Sequence, residues 1–155
     1  MKIRDSDAIN EEYNNGKWLS VLNTLENVKA PVELSSILFM LNSDRTLNSD
    51  KSTHKVKCSG QSIIQPISFI LGGNQFWIIT EIVKIARDFR AESVFELGSG
   101  YGRNISWMRC VSESLLEKPR FYGLEYTEMG RRCLSHIIQA SCTDRLESGF
   151  VDFYD

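Results

Sequence analysis

Apolar residues recur along this chain with two periods, and the change from one to the other locates its elements. After a polar stretch over the first fifteen residues, Trp18, Val21, Leu22 and Leu25 fall at helical spacing, so a helix is predicted from Lys17 to Val28. Pro31 breaks the pattern and suits the first turn of a second helix, about Val32 to Leu41, with Leu34, Ile37, Leu38 and Leu41 on one face. Asn42 to Gly60 is polar, rich in Ser, Asn, Asp and Lys, and reads as a loop or linker. Ile63 to Leu71 is apolar with Pro66 inside it, and Gly72-Gly73 ends it.

From Asn74 onward the two periods alternate. Asn74 is a suitable N-cap for a helix over Gln75 to Phe89, whose buried stripe is Ile79, Ile82, Val83, Ala86 and Phe89. A short apolar run, Ser93 to Leu97, follows as the first strand. A helical pattern from Asn104 to Leu116 comes next, with Asn104 placed to cap it, and Pro119 stops the chain before a second strand, Arg120 to Glu125. Thr127 caps a helix from Glu128 to about Ala140 that turns Leu134, Ile137 and Ile138 inward, and the apolar run Phe150 to Tyr154 is the third strand. Strands joined through helices by short connections demand a parallel sheet with right-handed crossovers. The expected fold class is therefore α/β, the first half of a Rossmann-like parallel sheet (strands 1–3 with flanking helices), preceded by an α-helical N-terminal segment. Residues 1–60 form that segment and its polar linker, and residues 61–155 the partial Rossmann-like domain.

The junction between the first strand and its helix carries the chemistry. Val94-Phe95-Glu96-Leu97 ends in Gly98-Ser99-Gly100-Tyr101-Gly102, three glycines at every second position behind a strand-end acid. Glycine tolerates positive φ and leaves the backbone bare to a ligand. The dinucleotide fingerprint G-x-G-x-x-G would need its third glycine where Arg103 stands, and no G-K-[ST] follows for a phosphate-binding P-loop. What stands here, E-x-G-x-G-x-G, resembles the first motif of the class I S-adenosylmethionine-dependent methyltransferases. The resemblance covers roughly residues 74–155 and extends to Phe121-Tyr122-Gly123-Leu124-Glu125, a second strand ending in an acid. It implies a cofactor site for S-adenosyl-L-methionine built from Glu96, Gly98, Ser99, Gly100, Tyr101, Gly102, Glu125 and Asp152. In that scheme Glu125 holds the ribose, Glu96 lies near the ammonium of the methionine end, and Asp152, with Asp155 as a rival, meets the adenine amino group. Tyr101 either flanks the cofactor or covers the turn. The implied activity is methyl transfer to a small or sugar-like acceptor.

The family sheet has seven strands in the order 3-2-1-4-5-7-6, and this chain stops at Asp155, after the third. The expectation is thus the N-terminal part of a longer enzyme, with strand one left as an edge although Val94, Phe95 and Leu97 suit a strand covered on both faces. Alone it is expected to be inactive, and no catalytic residue is identified. Two other readings stand beside it: an NAD-dependent Rossmann enzyme, and a truncated Rossmann-like module without activity.

Composition narrows the rest. A net charge of −2 and a pI of about 5.7 give no sign of a nucleic-acid partner. Four cysteines (Cys58, Cys110, Cys133, Cys142) and two histidines show no metal-ligand spacing, so no metal is expected. The N-terminus leads into polar sequence rather than an export signal, and no apolar run is long enough for a membrane span. A cytoplasmic protein with reduced thiols is the expected setting.

Overall fold

The computed structural model describes residues 18–43, 75–115 and 118–152, together with Asp7, Ala8, Glu11 and Tyr13. Of the predicted linker over residues 42–60, the first two residues are helical and the rest lie outside the described residues, as does the apolar run from 63 to 71. Two helices open the described part, α1 (Leu19–Glu26) and α2 (Leu34–Ser43). They are followed by α3 (Gln75–Asp88), β1 (Ser93–Leu97), α4 (Arg103–Val111), a short 3-10 turn (Ser112–Ser114), β2 (Arg120–Glu125), α5 (Glu128–Ser141) and β3 (Leu146–Phe150). The strands form one parallel sheet in the order β1-β2-β3, with Phe95 beside Tyr122 and Gly123 beside Ser148. The fold is α/β, a Rossmann-like half with helices around a parallel sheet.

The strand order runs in one direction without reversing. Two right-handed crossovers that step the same way place their helices on the same side of a sheet. One face is therefore covered, and among the described residues no helix lies on the other. On the covered face Phe121 and Leu146 sit opposite each other and are buried with Ile105 of α4 and Leu134 and Ile137 of α5. Helices α1 and α2 form a further layer, α1 against α5 and α2 against both α4 and α5. The backbone N–H of Val32 donates to the Ala140 carbonyl (2.9 Å), tying the α1–α2 connection to the end of α5. Among the described residues no helix is long and apolar enough to cross a membrane.

Three expectations change. Strand β1 is not covered on both faces: Phe95 is 60% exposed and Leu97 64%, because both crossover helices fall on the side of Val94 and Glu96. Phe95 covers itself partly by stacking on Tyr122, with ring centroids 4.7 Å apart. Phe89 does not belong to the buried stripe of α3. It lies just past the helix end and is exposed, since the chain turns away at Arg90, whose φ is 50°. The third strand spans Leu146–Phe150 rather than residues 150–154. Cys142 (φ 49°) ends α5, Arg145 (φ 57°) turns the chain into the sheet, and burial of Leu146 against Phe121 fixes the register. β1 lies at one edge of the described sheet, as expected.

Candidate functional site

The glycine turn closes the carboxyl end of β1. Gly98, Gly100 and Gly102 all have left-handed backbone, with φ of 71°, 58° and 80°. Side chains with a Cβ resist that region, so the alternation of glycine is the sequence record of an alternating left-handed turn. The turn is stitched to the neighbouring strand. The N–H groups of Gly98 and Ser99 both donate to the Leu124 carbonyl (2.8 and 3.0 Å), and the Gly102 N–H returns to the Ser99 carbonyl (2.9 Å). The Gly100 N–H donates to Glu125 Oε2 (2.7 Å). Four of the five N–H groups from Gly98 to Gly102 are thus used inside the protein.

Two carboxylates flank this turn. Glu96 Oε2 accepts from the backbone N–H of Ile105 (3.0 Å) and its Oε1 from the Asn104 side-chain amide (3.0 Å). An acid there satisfies a free N–H in the first turn of α4 and meets the positive end of the helix. Burial pushes the Glu96 carboxyl above its ordinary range; the two hydrogen bonds pull the other way, and the charge of Glu125 adds to the rise. The N-cap position is Gly102, so Asn104 serves Glu96 and not the cap. Glu125 is buried at the end of β2. Its Oε1 accepts from the N–H and the hydroxyl of Thr127 (2.9 and 2.8 Å). The Thr127 hydroxyl in turn accepts from the Gly130 N–H (3.3 Å) and caps α5, as the sequence predicts. A relay therefore runs from α5 through Thr127 and Glu125 to the glycine turn.

Packing adds constraints that the motif alone does not carry. A Cβ on Gly130 would stand 2.7 Å from the Gly100 carbonyl oxygen, so α5 starts directly against the turn. A Cβ on Gly102 would meet the side chain of Leu134, with Cγ at 2.9 Å, and one on Gly100 would stand 3.0 Å from the Trp18 ring. Tyr101 is buried, its ring 5.1 Å from that of Trp18, and Tyr13 stacks on the far side of Trp18 at 5.8 Å. Tyr101 covers the turn from within. Ser99 is buried, and among the described residues its hydroxyl has no hydrogen-bond partner.

No family model and no curated protein sequence matches the chain.

The structure brings together Glu96, the Gly98–Gly102 turn and Glu125. Asp152 is an exposed residue two positions past the end of β3, at the same end of the sheet as Glu125 by the pairing of Glu125 with Phe150. Trp18 was legible only as part of a helical stripe, and its contact with Gly100 had no local signal. Tyr126 and Phe150 form a second feature beyond the motif. Their rings lie 6.1 Å apart beside Glu125, with the Arg131 guanidinium 5.0 Å above Phe150. Among the described residues no three His, Cys, Asp or Glu side chains gather to hold a metal ion.

Proposed function

We propose that the chain carries the cofactor-binding region of an S-adenosylmethionine-dependent methyltransferase. The observation that carries this reading is the polarity of the glycine turn. Its N–H groups at Gly98, Ser99, Gly100 and Gly102 already donate to protein acceptors, and the carboxylates of Glu96 and Glu125 stand on either side. A pyrophosphate needs free N–H donors at such a turn, and two carboxylates repel it. A ligand bearing a sulfonium and an ammonium group is favoured by the same field. This weighs against the NAD-dependent alternative.

Glu125 retains acceptor capacity for a ribose hydroxyl. A carboxylate oxygen has two acceptor positions, and among the described residues Oε2 receives the Gly100 N–H alone. Tyr126 and Phe150 offer a ring-lined flank for a heteroaromatic base next to it. S-adenosylmethionine supplies a methyl group on a sulfur that is already electrophilic, so the protein's part is to align the groups and exclude water. The acceptor, a small or sugar-like molecule, rests on the resemblance alone. A cytoplasmic setting fits this cofactor and the free thiols of Cys110, Cys133 and Cys142.

Packing of Gly100 on Trp18 and of Gly102 on Leu134 favours a second reading, a Rossmann-like module whose turn is purely structural. One titration separates the three. In amide NMR spectra, S-adenosylmethionine and S-adenosylhomocysteine should shift the Gly98–Gly102 and Glu125–Glu128 signals, and NAD should leave them in place. Glu125→Gln should weaken both ligands tenfold or more, as expected for a lost charged hydrogen bond of about 1.5–3 kcal/mol. Shifts with NAD alone would establish the dinucleotide reading. Silence with all three ligands would leave the structural module.

A further inference from the structure

The opposite end of the sheet holds a cleft of about 560 Å³, lined by residues at the start of each of the three strands. Arg90, Glu92 and Ser93 come from the entry to β1, Lys118 and Arg120 from the entry to β2, and Arg145 from the entry to β3. Four cations face one carboxylate. They are dispersed along the sequence and converge only because parallel strands all begin at the same end.

Two observations separate this cleft from an ordinary solvated face. First, Arg90 and Arg145 both hold left-handed backbone, with φ of 50° and 57°. That region favours glycine or asparagine, so each arginine holds its side chain at the cleft at some cost in backbone free energy. Second, the lining holds one carboxylate, Glu92, against four cations, and the acids that pair with three of those cations lie outside the lining. Among the described residues Arg90 takes part in no ion pair, while Lys118, Arg120 and Arg145 pair with Glu113 (2.7 Å), Glu147 (3.1 Å) and Asp144 (3.5 Å). Those three carboxylates are about half exposed or more, and exposed pairs of this kind hold their cations weakly.

We propose that this cleft binds a compact oligophosphate, a di- or triphosphate chain either free or carried on a nucleotide. Arginine's fork matches phosphate oxygens bidentately, and Ser93 adds a hydroxyl to the lining. The volume suits a small ligand. The acids Glu113, Asp144 and Glu147 lie beside the cations at the surface and oppose a long polyanion such as nucleic acid. The site is independent of the glycine turn, which lies at the other end of the strands.

The test is calorimetry on the full chain with tripolyphosphate, ATP and a short DNA duplex. Tripolyphosphate should bind once per chain, more weakly as salt rises. The double variant Arg90→Gly, Arg145→Gly removes two cations and relaxes both left-handed positions, so it should melt no lower than the parent and yet lose affinity at least tenfold. Arg132→Gln, on the outer side of α5, should change nothing. Affinity for ATP equal to that for tripolyphosphate assigns the site to the phosphate chain alone, and tighter ATP binding assigns it to a nucleotide; both uphold it. Absent binding, unchanged affinity in the folded double variant, or DNA binding tighter than tripolyphosphate would overturn the proposal.

Discussion

Gly102 has two possible duties, and one double variant separates them. In Gly102→Ala the new methyl enters a left-handed residue with φ 80° and runs into the Leu134 side chain, which is almost wholly buried. The backbone part costs about 1–2 kcal/mol. Forcing a methyl into a packed core costs typically ~1–3 kcal/mol. The loss should therefore be about 2–5 kcal/mol, a large share of the roughly 5–15 kcal/mol that holds a domain folded. Leu134→Ala alone leaves a cavity and should also lose about 2–5 kcal/mol. In the double variant the vacated space receives the methyl, so only the backbone cost is added to that of the cavity. The combined loss should fall short of the sum of the two by about 1–3 kcal/mol, the range of coupling seen between residues in contact. Urea unfolding followed by circular dichroism gives all four stabilities. Losses that add within about 0.5 kcal/mol would refute the packing argument. If packing is the whole duty of Gly102, the double variant should bind S-adenosylmethionine as Leu134→Ala does; a further loss assigns part of it to the ligand.

Other residues yield sharper tests of charge. Because burial holds the Glu96 carboxyl above its ordinary value of 4.5, the folded chain binds that proton more tightly than the unfolded one, and stability drains as pH rises through that window. Glu96→Gln should then gain on the parent in melting temperature as pH rises above that ordinary value of 4.5, by the same linkage, and a flat or declining difference would contradict the assignment. Arg109 is 3% exposed and joins α4 to the entry of β3, donating from Nε to the Asp144 carbonyl (2.8 Å) and pairing with the carboxylates of Glu113 and Asp144. Those partners are exposed and keep their water, so Arg109→Met should cost about 1–3 kcal/mol rather than the larger penalty of a stranded buried charge. Asp144 is held below its ordinary range chiefly by Arg109, and Glu113 first by Lys118 and then by Arg109. Their contribution is present above the ordinary carboxylate range and lost as pH falls through the lowered values. The acid limb of the melting profile should thus be shallower in Arg109→Met, and an unchanged limb would count against the pairing.

What the sequence shows locally, it shows well. The left-handed glycines, the acid at the end of each of the first two strands, and the Thr127 cap are each dictated by backbone conformation or by unsatisfied N–H groups within a few residues. The failures share one cause, that burial is decided by distant parts of the chain. Phe95 and Leu97 read as core because they are apolar, but both are exposed, since both crossovers fall on the other side. The start of β3 reads as polar because only Leu146 meets the covered core, while the apolar residues that follow drew the expected strand four residues late. Trp18 reaches Gly100 across most of the chain, and no window on the sequence contains both.

The same long-range logic gives the molecule its electrical form. A net charge of −2 hides an arrangement in which acids flank the glycine turn at one end of the sheet and four cations line a cleft at the other. At the carboxyl end, Glu96 and Glu125 stand in the buried, hydrogen-bonded surroundings of the glycine turn. At the amino end, Arg90, Lys118, Arg120 and Arg145 gather at the strand entries. Parallel strands make this separation possible, because every entry lies on one side and every exit on the other. An antiparallel sheet would interleave them. The acids and bases of such a chain need no proximity in sequence to act together; each needs only to be at the same step of the strand–helix repeat. Charge at the repeat's fixed positions, rather than overall composition, is therefore the feature on which both ligand proposals rest.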